Sequence, residues 1–266
     1  MNSSIALKRF SLYKTILGLS AREKSGNSVG WIISGIQIAL RIAIYSGMYR
    51  VALGADNPAY AKGIWAIAAS QTIFGGERPE LSIKIGRDIK DGTVAMYLLR
   101  PVSYINQAMF SYIGRSIPDQ CSIGIFAFGA AFLLTKTMPI PIYVLPFAVL
   151  FLLTGIVMYV ILQTLLGLTG FWTSDTSGVH LMNHKLNLLF GGIIIPFALL
   201  PDTVSKIVRF TPWSVSAAQP GYVSTHFTWG LYVEMMGVLI AYSLIFYTLC
   251  LIMSKRGIRK LNIGGG

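Results

Sequence analysis

Between residues 228 and 253 the chain runs for 26 residues with a single charged side chain, Glu234. A helix of roughly 20 apolar residues crosses the hydrocarbon core of a bilayer. Five further runs approach that standard, at residues 31–53, 60–76, 112–134, 146–171 and 179–200. The first carries Arg41 and Arg50, and the second is short and polar, with Ser70, Gln71 and Thr72. Pro139, Pro141 and Pro146 trim the start of the fourth, because proline removes a helical donor. Gly191, Gly192 and Pro196 interrupt the fifth. Composition agrees with the runs: 54% of residues are hydrophobic and only 12% charged, where a soluble domain carries about 25% charged residues. So little charge cannot coat a soluble surface, and so apolar a chain does not stay disordered. The expected fold is an all-α integral membrane protein with six transmembrane helices.

Charge placement gives an independent reading. The formal net charge is +12, from 22 Lys and Arg against 10 Asp and Glu. Sixteen of those cations fall before the first span, after the second, after the fourth and after the sixth, counting Arg115 and Lys185 in the early parts of the spans that follow. Only Lys62, Lys136, Lys206 and Arg209 fall in the alternate loops. Cytoplasmic loops collect Lys and Arg, so both termini are expected in the cytoplasm of a multi-pass protein. The basic excess is thereby a topology signal, and a nucleic-acid partner is not expected. Cys121 and Cys250 both lie in apolar runs, which indicates neither a disulfide framework nor a cysteine metal site. The N-terminus lacks the apolar core and small-residue cleavage site of a signal peptide.

Segments outside the spans also carry pattern. Residues 1–30 form a cytoplasmic unit in which Phe10, Tyr13, Ile16 and Leu17 recur at helical spacing beside Lys8, Arg9 and Lys14. That is the signature of an amphipathic helix lying on the inner leaflet. Residues 31–253 form the membrane domain. Within it, residues 81–101 interleave Ile83, Ile85 and Ile89 with Arg87, Asp88, Lys90 and Asp91, then run past Gly92 into Arg100-Pro101. A short charged cytoplasmic helix is expected there, with a bend before the proline. The outer loop at 201–227 is too apolar for full solvation, so re-entry or an interfacial helix anchored by Trp213 is expected. Residues 254–266 read as a basic cytoplasmic tail ending in three glycines.

Convergent polar chemistry is sparse. His180 and His184 share a helical face, a spacing compatible with metal, yet no H-E-x-x-H pattern surrounds them. No nucleophile elbow occurs, so catalysis, a cofactor and a bound metal are not expected in this chain. Arg41 falls near the middle of the first span, where a cation costs about 2.5–3.5 kcal/mol on insertion scales. Arg50 lies nearer the outer end and can snorkel. Nine residues turn a helix by about half a revolution, so the two face opposite ways. Glu234 lies at about the depth of Arg50, and an Arg50–Glu234 pair is expected on that ground. A stand-alone ion-coupled transporter or channel would instead place carboxylates or histidines at the midplane. An integral membrane metalloenzyme would need the two histidines as ligands.

The stretch Gly92…Leu98-Leu99-Arg100-Pro101-Val102-Ser103 resembles one in permease subunits of ABC-2 type transporters, closest to a bacterial six-span group first described as a family of unknown function. Residues 189–201 with Phe210-Thr211-Pro212-Trp213 resemble that group's fifth span and outer loop, and the basic, glycine-ended tail resembles its C-terminus. The second span departs from the pattern in being short and polar. The resemblance implies an ABC-2 type (type V exporter-like) permease fold in the bacterial inner membrane. It implies an ATP-driven exporter, in which this chain forms half of the substrate path beside a second permease subunit of the same or a homologous kind. Arg87, Asp88, Lys90, Asp91, Gly92, Arg100 and Pro101 would couple it to ABC ATPase subunits. The chain has no G-x-x-x-x-G-K-[ST] phosphate cradle, so ATP and magnesium are expected in partner ATPase chains.

Overall fold

The computed structural model describes residues 2–25, 28–54, 56–74, 80–98, 103–173, 175–192 and 201–263. Among them every regular element is helical. The helices are α1 (Asn2–Ser25), α2 (Ser28–Leu53), α3 (Pro58–Phe74), α4 (Glu80–Lys90), α5 (Val94–Leu98), α6 (Tyr104–Thr135), α7 (Leu145–Leu168), α8 (Ser177–Phe190), α9 (Asp202–Val208), α10 (Gln219–Thr225) and α11 (Trp229–Ile263). Four stretches are long and apolar enough to cross a membrane: Val29–Leu53, Tyr104–Thr135, Ile142–Phe171 and Trp229–Arg259. This is a membrane-type helical bundle.

Two packed groups meet along α3 and α7. In the first, α2, α3 and α6 enclose Ile38, Ile42, Ile64, Ile67, Ile123 and Ala127. In the second, α7 and α11 pack through Phe151, Met158, Tyr232, Met235 and Leu239. Pro146 sits in the first turn of α7, where its missing N–H would have had no helical partner. A single 3-10 turn at Ile142–Val144 leads into that helix, so the prolines set its start without breaking it.

The short, polar second run has a structural explanation. α3 is only 17 residues long, and from Trp65 to Phe74 all but Ala66 are buried. Its polarity therefore faces protein rather than lipid. Ser70 and Thr72 donate to the carbonyls of Ala66 and Ala68, one turn earlier. Such back-bonding satisfies a hydroxyl inside an apolar environment.

The two ends of the bundle differ in chemistry. At one end α1 lies along the first half of α6, with Tyr13 stacked on Phe110 at 4.9 Å and Ser20 bonded to Ser111. The end of α11 meets Phe171 at Gly257 there. At the other end Tyr143, Phe147, Phe227, Trp229 and Tyr232 form one aromatic cluster. Between α9 and α11 the chain folds back into the bundle through a π-helical turn (Ser214–Ala218) and α10. From Ser214 to Thr225 every residue but Tyr222 is buried. Close approach makes this possible: a β-carbon on Gly221 would overlap the carbonyl oxygen of Ala66 in α3 and lie 2.7 Å from its Cα.

Three element limits differ from the sequence reading. α11 continues through Lys255 and Arg256 to Ile263, so the basic tail is helical over most of its length. Lys and Arg are good helix formers, and nothing before the terminal glycines stops the helix. The helix expected over 179–200 ends at Phe190, where Gly191 closes it and Gly192 turns the chain with φ +69°. Residues 193–200 lie outside the described residues, as do Arg100, Pro101 and Gly264–Gly266. Finally, the charged segment is two helices, α4 and α5, because Gly92 takes φ +69° between them. That left-handed conformation carries no steric cost only for glycine.

Candidate functional site

α4 is built as a surface helix. Leu81, Ile85 and Ile89, at i, i+4 and i+8, are buried, and Val94 of α5 continues their stripe. They join Tyr104, Ile105 and Met109 of α6, Val160, Ile161 and Leu168 of α7, and Phe171 in one core cluster. Lys84, Arg87 and Lys90 occupy the opposite face and are exposed, followed by exposed Asp91 and Gly92. Met96 on α5 is 67% exposed beside them. The tip thus offers three cations, one carboxylate and one flexible apolar side chain, all standing on a rigid apolar base.

Several side chains hold this tip in place. A β-carbon on Gly167 would lie 2.7 Å from Ile85 Cβ and 2.9 Å from the Ser82 carbonyl oxygen, so α4 rests directly on the α7 backbone. Asp88 turns inward and accepts a hydrogen bond from the Tyr104 hydroxyl at 2.8 Å. Tyr97 packs on the Tyr104 ring at 5.1 Å. His180 Nδ1 lies 3.2 Å from Ser82 Oγ, tying the first turn of α8 to α4. That α8 turn begins where the Ser177 amide donates to Asp175 Oδ1 at 2.8 Å. The amide hydrogen bond, assisted by the nearby Lys90 charge, holds the Asp175 carboxyl below its usual range.

The intramembrane charges find partners other than the one expected. Arg50 donates from Nε to the Tyr60 hydroxyl at 3.1 Å and from Nη2 to the Leu134 carbonyl at 3.3 Å. Its guanidinium also stacks 5.5 Å from the Tyr60 ring centre. Glu234 instead lies 3.8 Å from Arg209. The Arg50–Glu234 pair is therefore not formed: equal depth on α2 and α11 is not adjacency, because α3, α6 and α7 lie between them. Arg41 donates from Nη1 to Gln71 Oε1 at 3.0 Å and is otherwise exposed on α2.

Sequence reasoning missed Tyr104, Gln71 and Gly167 as positioning residues. Tyr104 is sixteen residues from Asp88 and Gln71 thirty from Arg41, separations that leave no local pattern. Gly167 had a signal, since glycine inside an apolar helix often marks a close approach of another backbone. Among the described residues no group of three His, Cys, Asp or Glu side chains could hold a metal ion.

No curated protein matches the chain. A family model described as ABC-2 family transporter protein matches residues 68–265. The match takes in α4, α5 and the buried 214–225 segment and leaves α1 and α2 outside it. It covers well over half of the chain, and the bundle bearing it is of membrane type. The chain is a membrane protein and belongs to the ABC-2 transporter family.

Proposed function

We infer that the chain is the transmembrane permease subunit of an ATP-driven ABC-2 exporter in a bacterial inner membrane. It forms half of the substrate path, beside a second permease subunit, and couples to separate ATPase subunits that bind ATP and magnesium. Six spans, with both termini in the cytoplasm, fit the sixteen-to-four division of its cations. In that orientation α1, α4, α5 and the end of α11 lie at the cytoplasmic end, and the aromatic cluster lies at the outer interface.

One observation carries the reading: α4 keeps three cations outward while its other face is locked into the bundle core. A helix that had only to connect two spans would need no such rigid base. On closure of the ATPases, a push on Arg87 and Lys90 passes through Ile85 and Gly167 to α7, and through Asp88 and Tyr104 to α6. Asp88 acts here as a brace for the tip, and Asp91 and Gly92 shape its turn. Family membership supports ATPase partners in general; the docking helix is the finer reading. The free energy for moving a cargo outward comes from a difference in affinity between inward and outward states, driven by ATP.

Purification of the tagged protein in mild detergent from its native membranes tests this. An ABC ATPase is expected to co-purify. The combined K84E, R87E and K90E variant is expected to lose that association, with its own melting temperature within a degree or so of wild type, since the three side chains are exposed. Recovery of no ATPase under conditions that preserve known transporters overturns the permease reading. Undiminished association of the triple variant overturns the docking role of α4.

A further inference from the structure

Arg41 is placed where a cation needs a counter-charge, and none of the described side chains supplies one. α2 spans Ser28–Leu53, so Arg41 is about 20 Å from either end of it. Among the described residues its one hydrogen bond is to Gln71 Oε1. Among the described side chains no carboxylate pairs with Arg41. Ser122 of α6 donates to the Trp31 carbonyl, which sets Asp119 level with the first turn of α2, far from its middle. Glu23, Asp88, Asp91 and Asp175 belong to that same end of the bundle, and Asp56 and Glu234 to the other. Glu77 and the side chains of Glu80 and Asp202 lie outside the described positions. A second copy in the same orientation repeats these depths and brings none of the described carboxylates to Arg41.

Gln71 sharpens the chemistry. It is fully buried, and its Nε2 has no hydrogen-bond partner. Because a guanidinium can only donate, the amide oxygen must face Arg41 and the orphaned atom must be the NH2 group. Among the described residues the site therefore presents unpaired guanidinium donors beside a second, unused donor, and no acceptor besides Gln71 Oε1. Such a set suits a ligand that only accepts: a phosphate or carboxylate oxyanion. Around it on α2 the exposed side chains are apolar, with Leu40, Ile44 and Met48 on one side and the amide of Gln37 one turn earlier.

We propose that Arg41 and Gln71 form the headgroup site for an anionic amphiphile, whose oxyanion they bind while its tail lies along Leu40, Ile44 and Met48. The proposal deepens the permease reading, on which it rests only in treating this amphiphile as the cargo. Entry of the ligand supplies the missing counter-charge, so the occupied site costs less in the membrane than the empty one. Free phosphate and a lipid phosphate share the headgroup chemistry, and the apolar face selects the lipid-like form.

The test is binding of dodecyl phosphate to the purified full-length protein in dodecyl maltoside, read by thermal shift and tryptophan fluorescence, without ATP or ATPase. Dodecyl phosphate is expected to bind at least ten-fold more tightly than dodecanol or inorganic phosphate. R41Q is expected to lose at least ten-fold in affinity, and R41K, which keeps the charge but not the fork, two- to five-fold. Should R41Q fail to fold, R41K and the selectivity of the wild type still decide. Wild-type affinity in R41Q, or equal binding of dodecanol, overturns the proposal; equal competition by inorganic phosphate overturns the amphiphile. Binding by the isolated chain that vanishes in the complex with its companion chains also overturns it, by making Arg41 an interface residue. None of these readouts depends on ATPase association, so this proposal and the permease reading fail separately.

Discussion

The segments 80–98 and 201–225 both leave the bundle and fold back onto α7, but they present opposite surfaces. α4 buries Leu81, Ile85 and Ile89 and leaves Lys84, Arg87 and Lys90 free. The stretch 214–225 is buried nearly throughout and carries no charge. Three of its hydroxyls bond to its own backbone or the residue before it, Ser216 donating to the Trp213 carbonyl, Ser224 to that of Pro220, and Thr225 to those of Gly221 and Tyr222, while Ser214 Oγ is buried without a partner among the described residues. A fold-back that keeps a polar face remains available to a partner. One that is buried on nearly every side becomes wall. The same device seats both, a glycine that admits another backbone, so the difference lies in side chains rather than in docking geometry.

Substitution at the seats separates the two roles. Gly221→Leu sets a side chain against the Ala66 backbone, which cannot rotate away. Overpacking of this kind costs about 3 kcal/mol or more at a rigid site, and loss of the monodisperse peak in detergent chromatography is expected. Gly167→Leu is expected to cost less, about 1–3 kcal/mol, because α4 can lift from α7 while the bundle survives. Its melting temperature falls modestly, but co-purification of the ATPase is lost. Equal damage from the two variants would erase the distinction between wall and platform.

The smallest effect concerns the turn beside the platform. The folded Asp175 carboxyl titrates below its unfolded value of about 3.9. A lowered carboxylate contributes stability above the unfolded value and loses it as pH falls through the folded one. Asp175→Asn is therefore expected to lower the melting temperature slightly at neutral pH, with the two proteins converging in acid. A constant offset across pH 3–7 would mean that the charge plays no part in capping α8.

Much of the bundle is legible in the sequence because hydrophobic length and periodicity are local. The run at 228–253 announces α11, and the spacing of Leu81, Ile85 and Ile89 announces the buried stripe of α4. The division of that segment at Gly92 was less legible, since whether a glycine takes positive φ depends on what the flanking helices pack against. The candidate site was half legible. Arg87 and Lys90 stand out as cations in an otherwise apolar chain. In sequence Asp88 groups with them, yet it turns to Tyr104, a partner that only the crossing of α4 and α6 supplies.

By itself the sequence determined that this chain is helical, membrane-embedded and asymmetric in charge, since transfer free energies add along a segment without reference to its neighbours. Tertiary structure alone decided which polar groups are spent and which remain. The short polar run became an interior helix because α2, α6 and α10 surround it. Arg50 was satisfied by Tyr60 and Leu134, whereas among the described residues Arg41 was left with one amide. Whether a buried donor is paired depends on groups tens of residues away, and their distances are fixed only when the helices have packed.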